Sequence, residues 1–305
     1  MKKLIGHKNT QKKILALFKA KRLPHAIMLN GAKGIGKRLL AELFARRLLC
    51  GENKGLLGDD GLLSYDKNHI LYPQIEAAST PDYLVIEPEE GKKSIAVETV
   101  RKTLKKLSLS SDGKRIIIID AVDEMNPNSA NALLKTLEEP GEGVHIILIA
   151  HSLANVLPTI ISRCRQFRMN NLKSDEVLTV LKEELGNKSA IEMDVLVELA
   201  AGRPGEALRL GKDGEEVLSL LDAYLENKST LAAIQLSEKM QIKRLAPMAL
   251  ELLLSRLALK AKSNPSKAYH FAEIYRKVDA KRLDMSIYNT SPQLVLETSL
   301  MDVIS

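Results

Sequence analysis

Through the first half of the chain, the apolar positions alternate between short continuous runs and a period of three to four. Residues Thr10 to Lys21 place Ile14, Leu15, Leu17 and Phe18 at helical spacing, and Ala26-Ile-Met-Leu29 then forms a continuous run that predicts a buried strand. Leu39, Leu40, Leu43, Phe44 and Leu48 restore the helical period. From Gly51 to Ala78 no period is sustained, and the glycine-rich and acidic turns around Gly55 and Gly58-Asp-Asp-Gly61 predict a surface insertion. Tyr83-Leu-Val-Ile86 predicts a second strand, and Val97, Val100, Leu104 and Leu107 mark one face of a helix. Arg115-Ile-Ile-Ile-Ile-Asp120 is apolar throughout and closed by a carboxylate, the pattern of a strand buried on both faces of a parallel sheet. A helix follows, with Asn126 as N-cap, Pro127 at its first position, Ala130, Leu133, Leu134 and Leu137 facing the core, and Pro140 as its stop. His145-Ile-Ile-Leu-Ile149 supplies a further strand.

Strands alternating with helices argue for a doubly wound α/β domain whose ligand sits at the carboxyl ends of the strands. Beyond Met169 the strand signals fade. Ser174-Asp-Glu opens a helix, helical stretches run from Ala190 to Leu210, Gly211-Lys-Asp-Gly214 predicts a hinge, and the remainder is helical with breaks near Asn264-Pro265 and Ser291-Pro292. The expected divisions are an α/β domain over 1–168, a helical lid over 169–212 and a helical C-terminal domain over 213–305.

Composition narrows the classes. With 305 residues, 45% hydrophobic and 27% charged, the chain is long enough for a sizeable core. No apolar run approaches the roughly 18 residues of a membrane span, and the start has no long apolar stretch behind its lysines, so a cytoplasmic protein with no membrane partner is expected. Two cysteines far apart, Cys50 and Cys164, support neither a disulfide framework nor a cysteine-built metal site. The net charge of +7 is compatible with work close to nucleic acid. The lysines of the first helix are equally read as a solvated face, as are Lys102, Lys105 and Lys106. Aromatic content of 4%, with no Trp, argues against stacking platforms for unpaired bases.

Candidate chemistry begins at Gly31-Ala-Lys-Gly-Ile-Gly-Lys37-Arg38. Gly31, Gly34, Gly36 and Lys37 form Gly-x4-Gly-Lys between a predicted strand and helix, where backbone N–H groups, the helix N-terminus and the Lys37 ammonium cradle phosphates. The pattern alone arises by chance on the order of 0.1 times in a chain this long, so the flanking elements carry much of its weight, and a glycine-rich turn holding no nucleotide stays open. The eighth position departs from the motif. A Ser or Thr there would put a hydroxyl on Mg²⁺, whereas Arg38 can only donate. In P-loop ATPases a strand-ending Asp holds the Mg²⁺ shell, and in one branch a Glu follows as base. Here Asp120 is present and is followed by Ala121, which cannot take a proton. Asp123 and Glu124 lie a turn further on and are expected to point elsewhere. The predicted outcome is a site that keeps phosphate-holding groups and loses hydrolysis. Ser162-Arg163-Cys164 offers either an arginine finger presented in trans to a neighbour's γ-phosphate or an Arg in a local ion pair.

Pro81-Asp-Tyr83, Glu87 to Ile95, Val100-Arg101, Ile116 to Met125, Asn131-Ala-Leu-Leu-Lys-Thr-Leu-Glu-Glu-Pro140 and Leu157-Pro-Thr-Ile-Ile-Ser-Arg-Cys164 together resemble the bacterial clamp-loader AAA+ subunits of DNA polymerase III. The resemblance covers about residues 5 to 210 by motif and the C-terminal helices by character only. It implies an AAA+ P-loop α/β domain, a helical lid and a helical collar that assembles a hetero-oligomer. The family contains motor subunits that hydrolyse ATP and a stationary member that does not. Motor subunits would have Ser or Thr at 38, Glu at 121 and a sensing Arg in the lid, where Gly202-Arg-Pro-Gly205 places Gly205 and leaves Arg203 off register. The departures imply the stationary role: no catalytic residue in cis, Arg163 with Ser162 and Cys164 as a finger for a neighbour, and a degenerate nucleotide loop of Gly31, Gly34, Gly36, Lys37, Arg38 and Asp120. They leave room for weak ATP or ADP binding and require no cofactor. The resemblance further implies gamma/tau-type motor and delta-type partners, a sliding clamp, primed DNA reached through the complex, and membership of the polymerase holoenzyme. Relatives often carry a four-cysteine zinc module after the loop helix; only Cys50 stands there, so zinc is not expected. An active motor-type ATPase subunit is the alternative, and a stand-alone nucleic-acid-binding protein a third reading.

Overall fold

The computed structural model describes residues 3–51, 62–89, 92, 94–107, 113–186, 193–242, 245–288 and 290–304. The chain divides into two compact units, one of residues 1–176 with 202–205 and one of 177–201 with 206–305. Among the described residues no helix is long and apolar enough to cross a membrane.

The first unit is a parallel five-stranded sheet with helices. In chain order it contains α1 (Lys8–Lys19), β1 (Ala26–Asn30), α2 (Lys37–Cys50), α3 (Tyr72–Glu76), β2 (Tyr83–Ile86), α4 (Val97–Leu107), β3 (Arg115–Asp120), α5 (Pro127–Glu138), β4 (Val144–Ala150), α6 (Pro158–Ile161), β5 (Arg165–Arg168) and the start of α7 (Ser174–Leu185). The strand order is β2-β3-β4-β1-β5, with every pair parallel. Ile116, Ile117, Ile118 and Ile119 are fully buried, as the absence of any polar position in that run requires, and each such side chain contributes about 1.5–3 kcal/mol. α5 begins as its sequence dictates: the Asn126 side chain accepts the Ser129 N–H at 2.9 Å, Pro127 occupies the first turn, and the Ser129 hydroxyl donates to Ile95 O at 2.7 Å. The lysines at 8, 12, 13 and 19 of α1, and those at 102, 105 and 106 of α4, are exposed.

Two expectations are corrected. The Gly51–Ala78 segment is not simply a surface insertion: residues 52–61 lie outside the described residues, but Leu63, Tyr65 and Ile75 are buried, α3 forms, and the buried Arg46 holds Glu76 at 2.7 Å. The second correction concerns Gly211–Gly214, which forms no hinge and runs inside a single helix, α9 (Pro204–Glu226). Two glycines cost that helix about 1 kcal/mol each, and burial of Leu210, Val217 and Leu221 outweighs them. The rest of the second unit is also helical: the body of α7, then α8 (Met193–Ala200), α10 (Thr230–Ile242), α11 (Ala246–Ser263), α12 (Ala268–Tyr288) and α13 (Pro292–Asp302). Ala249, Leu250, Leu253, Leu257, Val278, Leu296 and Leu300 are among its buried side chains, and the Tyr224 hydroxyl donates to Leu300 O at 2.6 Å.

Candidate phosphate loop and arginine finger

β1 lies between β4 and β5, so the chain leaving it at Asn30 enters the crevice at the carboxyl ends of the strands, where an open α/β sheet places its ligands. Gly31 has φ 149°, and a Cβ there would sit 2.3 Å from Met169 O. Gly34 and Gly36 both take left-handed backbone, with φ of 85° and 99°, which turns the loop into α2 at Lys37. Gly31, Gly34, Gly36 and Lys37 thus come together as the loop that the motif describes. Lys37 is only 3% exposed, and its ammonium donates to Gly31 O and Ala32 O, both at 2.6 Å. Burial pushes its pKa down to about 8, against the opposing pull of Asp120 and Asp123.

Arg38 is the most heavily partnered group in the site. Its Nε donates to Glu42 Oε1 at 2.7 Å, and its Nη1 donates to Glu87 Oε2 at 2.9 Å and to Asp120 Oδ2 at 3.1 Å. Burial works against the charge, but the surrounding carboxylates outweigh it and hold the guanidinium firmly protonated. A Mg²⁺ ion does not fit this arrangement: the carboxylate at the end of β3 that would support its shell is bound to a guanidinium, and the side chain at 38 brings only donors. The base position holds the buried Ala121. Nor are the two later carboxylates free. Asp123 accepts the backbone N–H groups of His151 and Ser152, both at 2.9 Å, while Glu124 reaches the loop itself and pairs with Lys33 at 2.9 Å. Asp123 therefore points back to the end of β4, as expected; Glu124 points at the loop, which was not.

Two other features of this region were not anticipated from sequence. The His151 Nδ1 is buried with no hydrogen-bond partner, and burial and then Lys37 lower the pKa of its imidazole. The Gly205 N–H donates to Gly34 O at 2.8 Å, and a Cβ on Gly205 would lie 2.9 Å from Gly34 Cα. The position at which motor subunits are expected to carry a sensing Arg is here a backbone contact to the loop.

Ser162, Arg163 and Cys164 occupy the turn between α6 and β5. Cys164 packs against the sheet's apolar cluster, and burial pushes its thiol up to about 12. Arg163 holds Glu138 at 2.6 Å and donates to Thr159 O at 2.9 Å, with its side chain 35% exposed. The strand register fixes its place. Arg165 lies opposite Ile27 and Arg168 opposite Asn30, so the turn before Arg165 that carries Arg163 stands toward the amino-terminal end of β1. Ile27 is four residues from Gly31, about 13 Å at about 3.3 Å per residue, so Arg163 and the loop of the same chain stand at opposite ends of the sheet.

A family model described as DNA polymerase III, delta subunit, matches residues 6–173. The delta-prime subunit of DNA polymerase III from Pseudomonas aeruginosa is 37% identical over 193 residues, covering 62% of this chain and 56% of the relative. The Escherichia coli delta-prime subunit is 30% identical over 201 residues, covering 65% of this chain and 58% of its own length. The gamma subunit of Buchnera aphidicola from Schizaphis graminum is 31% identical over 216 residues, covering 68% and 56%. The chain thus spans little more than half the length of the relatives it matches. Since the family match takes in more than half of the chain, this protein belongs to the DNA polymerase III delta-subunit family and stands with its delta-prime members.

Proposed function

We propose that the chain is the stationary, non-hydrolysing subunit of a bacterial clamp loader, acting in DNA replication as part of the polymerase III holoenzyme. It assembles with gamma/tau-type motor and delta-type subunits through its C-terminal helices, supplies Arg163 to the ATP site of an adjacent motor subunit, and helps place the sliding clamp on primed DNA. The observation that carries this reading is the placement of Arg163 at the opposite end of the sheet from its own loop, combined with a loop whose metal and base positions are Arg38 and Ala121. A guanidinium so placed serves a phosphate on another chain or none. Its pair with Glu138 is surface-exposed and contributes about 0.2–1 kcal/mol, so leaving it for a γ-phosphate costs little.

The test is ATP turnover by the reconstituted complex of this chain with motor subunits, clamp and primed DNA. Arg163→Ala lowers turnover at the neighbouring site by roughly 10³-fold or more, by analogy with fingers supplied in trans. The variant's own unfolding free energy changes by less than about 1 kcal/mol. Unchanged turnover in a complex that still assembles would remove the finger role.

One observation favours a rival. Glu124 stands at the rim of the loop, where a carboxylate could orient water once freed from Lys33, as an active motor-type ATPase would need. That reading requires Mg²⁺-dependent hydrolysis by the isolated chain, abolished by Lys37→Ala. Silence of the isolated chain disposes of it.

A further inference from the structure

We infer that the loop at Gly31 is a metal-independent site for the phosphates of a nucleotide, in which the Arg38 guanidinium stands where a P-loop enzyme holds its divalent cation. The inference concerns this chain's own loop and does not depend on the role of Arg163.

Three observations converge on it. First, the place a metal would take is already charged and balanced: Arg38 Nη1 lies 2.9 Å from Glu87 and 3.1 Å from Asp120, and its Nε lies 2.7 Å from Glu42. Entry of Mg²⁺ would set two positive centres on the same carboxylates and break hydrogen bonds the guanidinium makes with all three. Second, the Lys37 ammonium, almost wholly buried, has three N–H donors and spends two, on Gly31 O and Ala32 O. Both acceptors are neutral carbonyls, so the cation lacks a direct anionic partner in a place where desolvation makes one valuable. A phosphate oxygen supplies that partner. Third, His151 Nδ1 is buried and unpartnered, and the charges acting on the imidazole are those of the loop: Lys37 and Lys33 on one side, Asp123 and Asp120 on the other. A buried ring nitrogen with no bond is an unsatisfied hydrogen-bonding group, and its residue adjoins the loop, since the Gly31 N–H donates to Ala150 O at 3.3 Å.

The ligand class follows from these groups. The loop amides, the unspent N–H of Lys37 and a fixed guanidinium favour a phosphate chain. Glu42, Glu87 and Asp120 cancel much of the positive charge, with Glu42 also shared with Arg46, so the affinity is weak and falls on the metal-free nucleotide. In solution Mg²⁺ chelates the same phosphate oxygens. A site with no place for the metal therefore competes against it.

The measurement is binding of a fluorescent ADP analogue to the purified chain, displaced by unlabelled ADP, in EDTA and in millimolar Mg²⁺. Affinity in EDTA equal to or several-fold tighter than in Mg²⁺ is expected, with Lys37→Ala losing the signal in both. Arg38→Thr, which restores a hydroxyl and frees Asp120, should reverse the sign, binding at least tenfold more tightly in Mg²⁺ than in EDTA. Electron paramagnetic resonance with Mn²⁺ and ADP tests the wild-type chain without a substitution, and no protein-bound manganese signal is expected. Wild-type affinity that rises with Mg²⁺, a protein-bound manganese signal, or no nucleotide binding at millimolar concentration would each overturn the inference. Because the readout is binding to the isolated chain, it can fail while the finger experiment succeeds, and the reverse.

Discussion

Gly31 shows how little freedom the loop has. Its φ of 149° lies outside the range that residues with a side chain adopt readily, and a Cβ built there meets a backbone carbonyl, Met169 O, at 2.3 Å and the Ile35 side chain at 2.9 Å. A flexible side chain could swing away, but the carbonyl cannot, because the Met169 N–H is itself bound to Asn30 O at 2.8 Å and the two segments are locked together. Gly31→Ala therefore combines backbone strain of about 1–3 kcal/mol with overpacking of about 1–3 kcal/mol. Urea unfolding of the purified variant should show a loss of at least about 2 kcal/mol, a large part of the stability of a typical domain. A loss under 0.5 kcal/mol would mean that the loop is not held as described.

At the level of elements, α5 is the clearest case of local chemistry dictating structure. Its Asn126 side chain satisfies the Ser129 N–H, and replacing such a cap by Ala typically costs about 1 kcal/mol. Asn126→Ala should lower stability by that amount in the same unfolding experiment, while Asn126→Asp, which keeps the acceptor, should restore it. This helix and β3 were legible because short-range rules fix them: an uninterrupted isoleucine run has no polar face to expose, and Asn-Pro marks a helix start. β5 was not, since Arg165-Gln-Phe-Arg168 offers a single apolar side chain, Phe167, and becomes a strand through pairing with β1. The hinge expected at Gly211 failed for the complementary reason, as buried leucines elsewhere on α9 outvoted two glycines. In the site, Gly-x4-Gly-Lys and the departures at Arg38 and Ala121 could be read directly. Of Arg38's partners only Glu42, four residues on, follows from helical spacing; Glu87 and Asp120 arrive from 49 and 82 residues away and needed the strand order β2-β3-β4-β1 to bring them near. The end of the sheet on which Arg163 stands likewise depends on a register no periodicity reveals.

For the whole molecule, the net charge of +7 is what remains when 38 carboxylates are set against 45 cations, and it does not say whether the excess is gathered where DNA could meet it. Many of the cations already face carboxylates: Arg38 on Glu42, Glu87 and Asp120, Arg46 on Glu76, Arg163 on Glu138, Arg256 on Asp222, Lys281 on Asp302, and Arg282 on Glu251 and Asp279. The exposed lysines of α1 and those of α4 belong to separate helices far apart in sequence, with no aromatic side chain among the residues of α4 on which a base could stack. Each phosphate neutralised contributes about −0.9 to the slope of log affinity against log salt, so a chain that engages two or three phosphates gives a slope of about −2 to −3 and a dissociation constant in the non-specific range of about 10⁻⁴–10⁻⁶ M. Fluorescence anisotropy of a labelled primed duplex, titrated with the lone chain between 50 and 200 mM salt, measures both quantities. The clamp-loader reading expects weak binding and a shallow slope for the chain alone, with both growing as subunits are added, because phosphate contacts are then pooled over several chains. If the lone chain instead gave a slope near −6 and bound as tightly as the assembled complex, the third reading, a nucleic-acid-binding protein in its own right, would replace it.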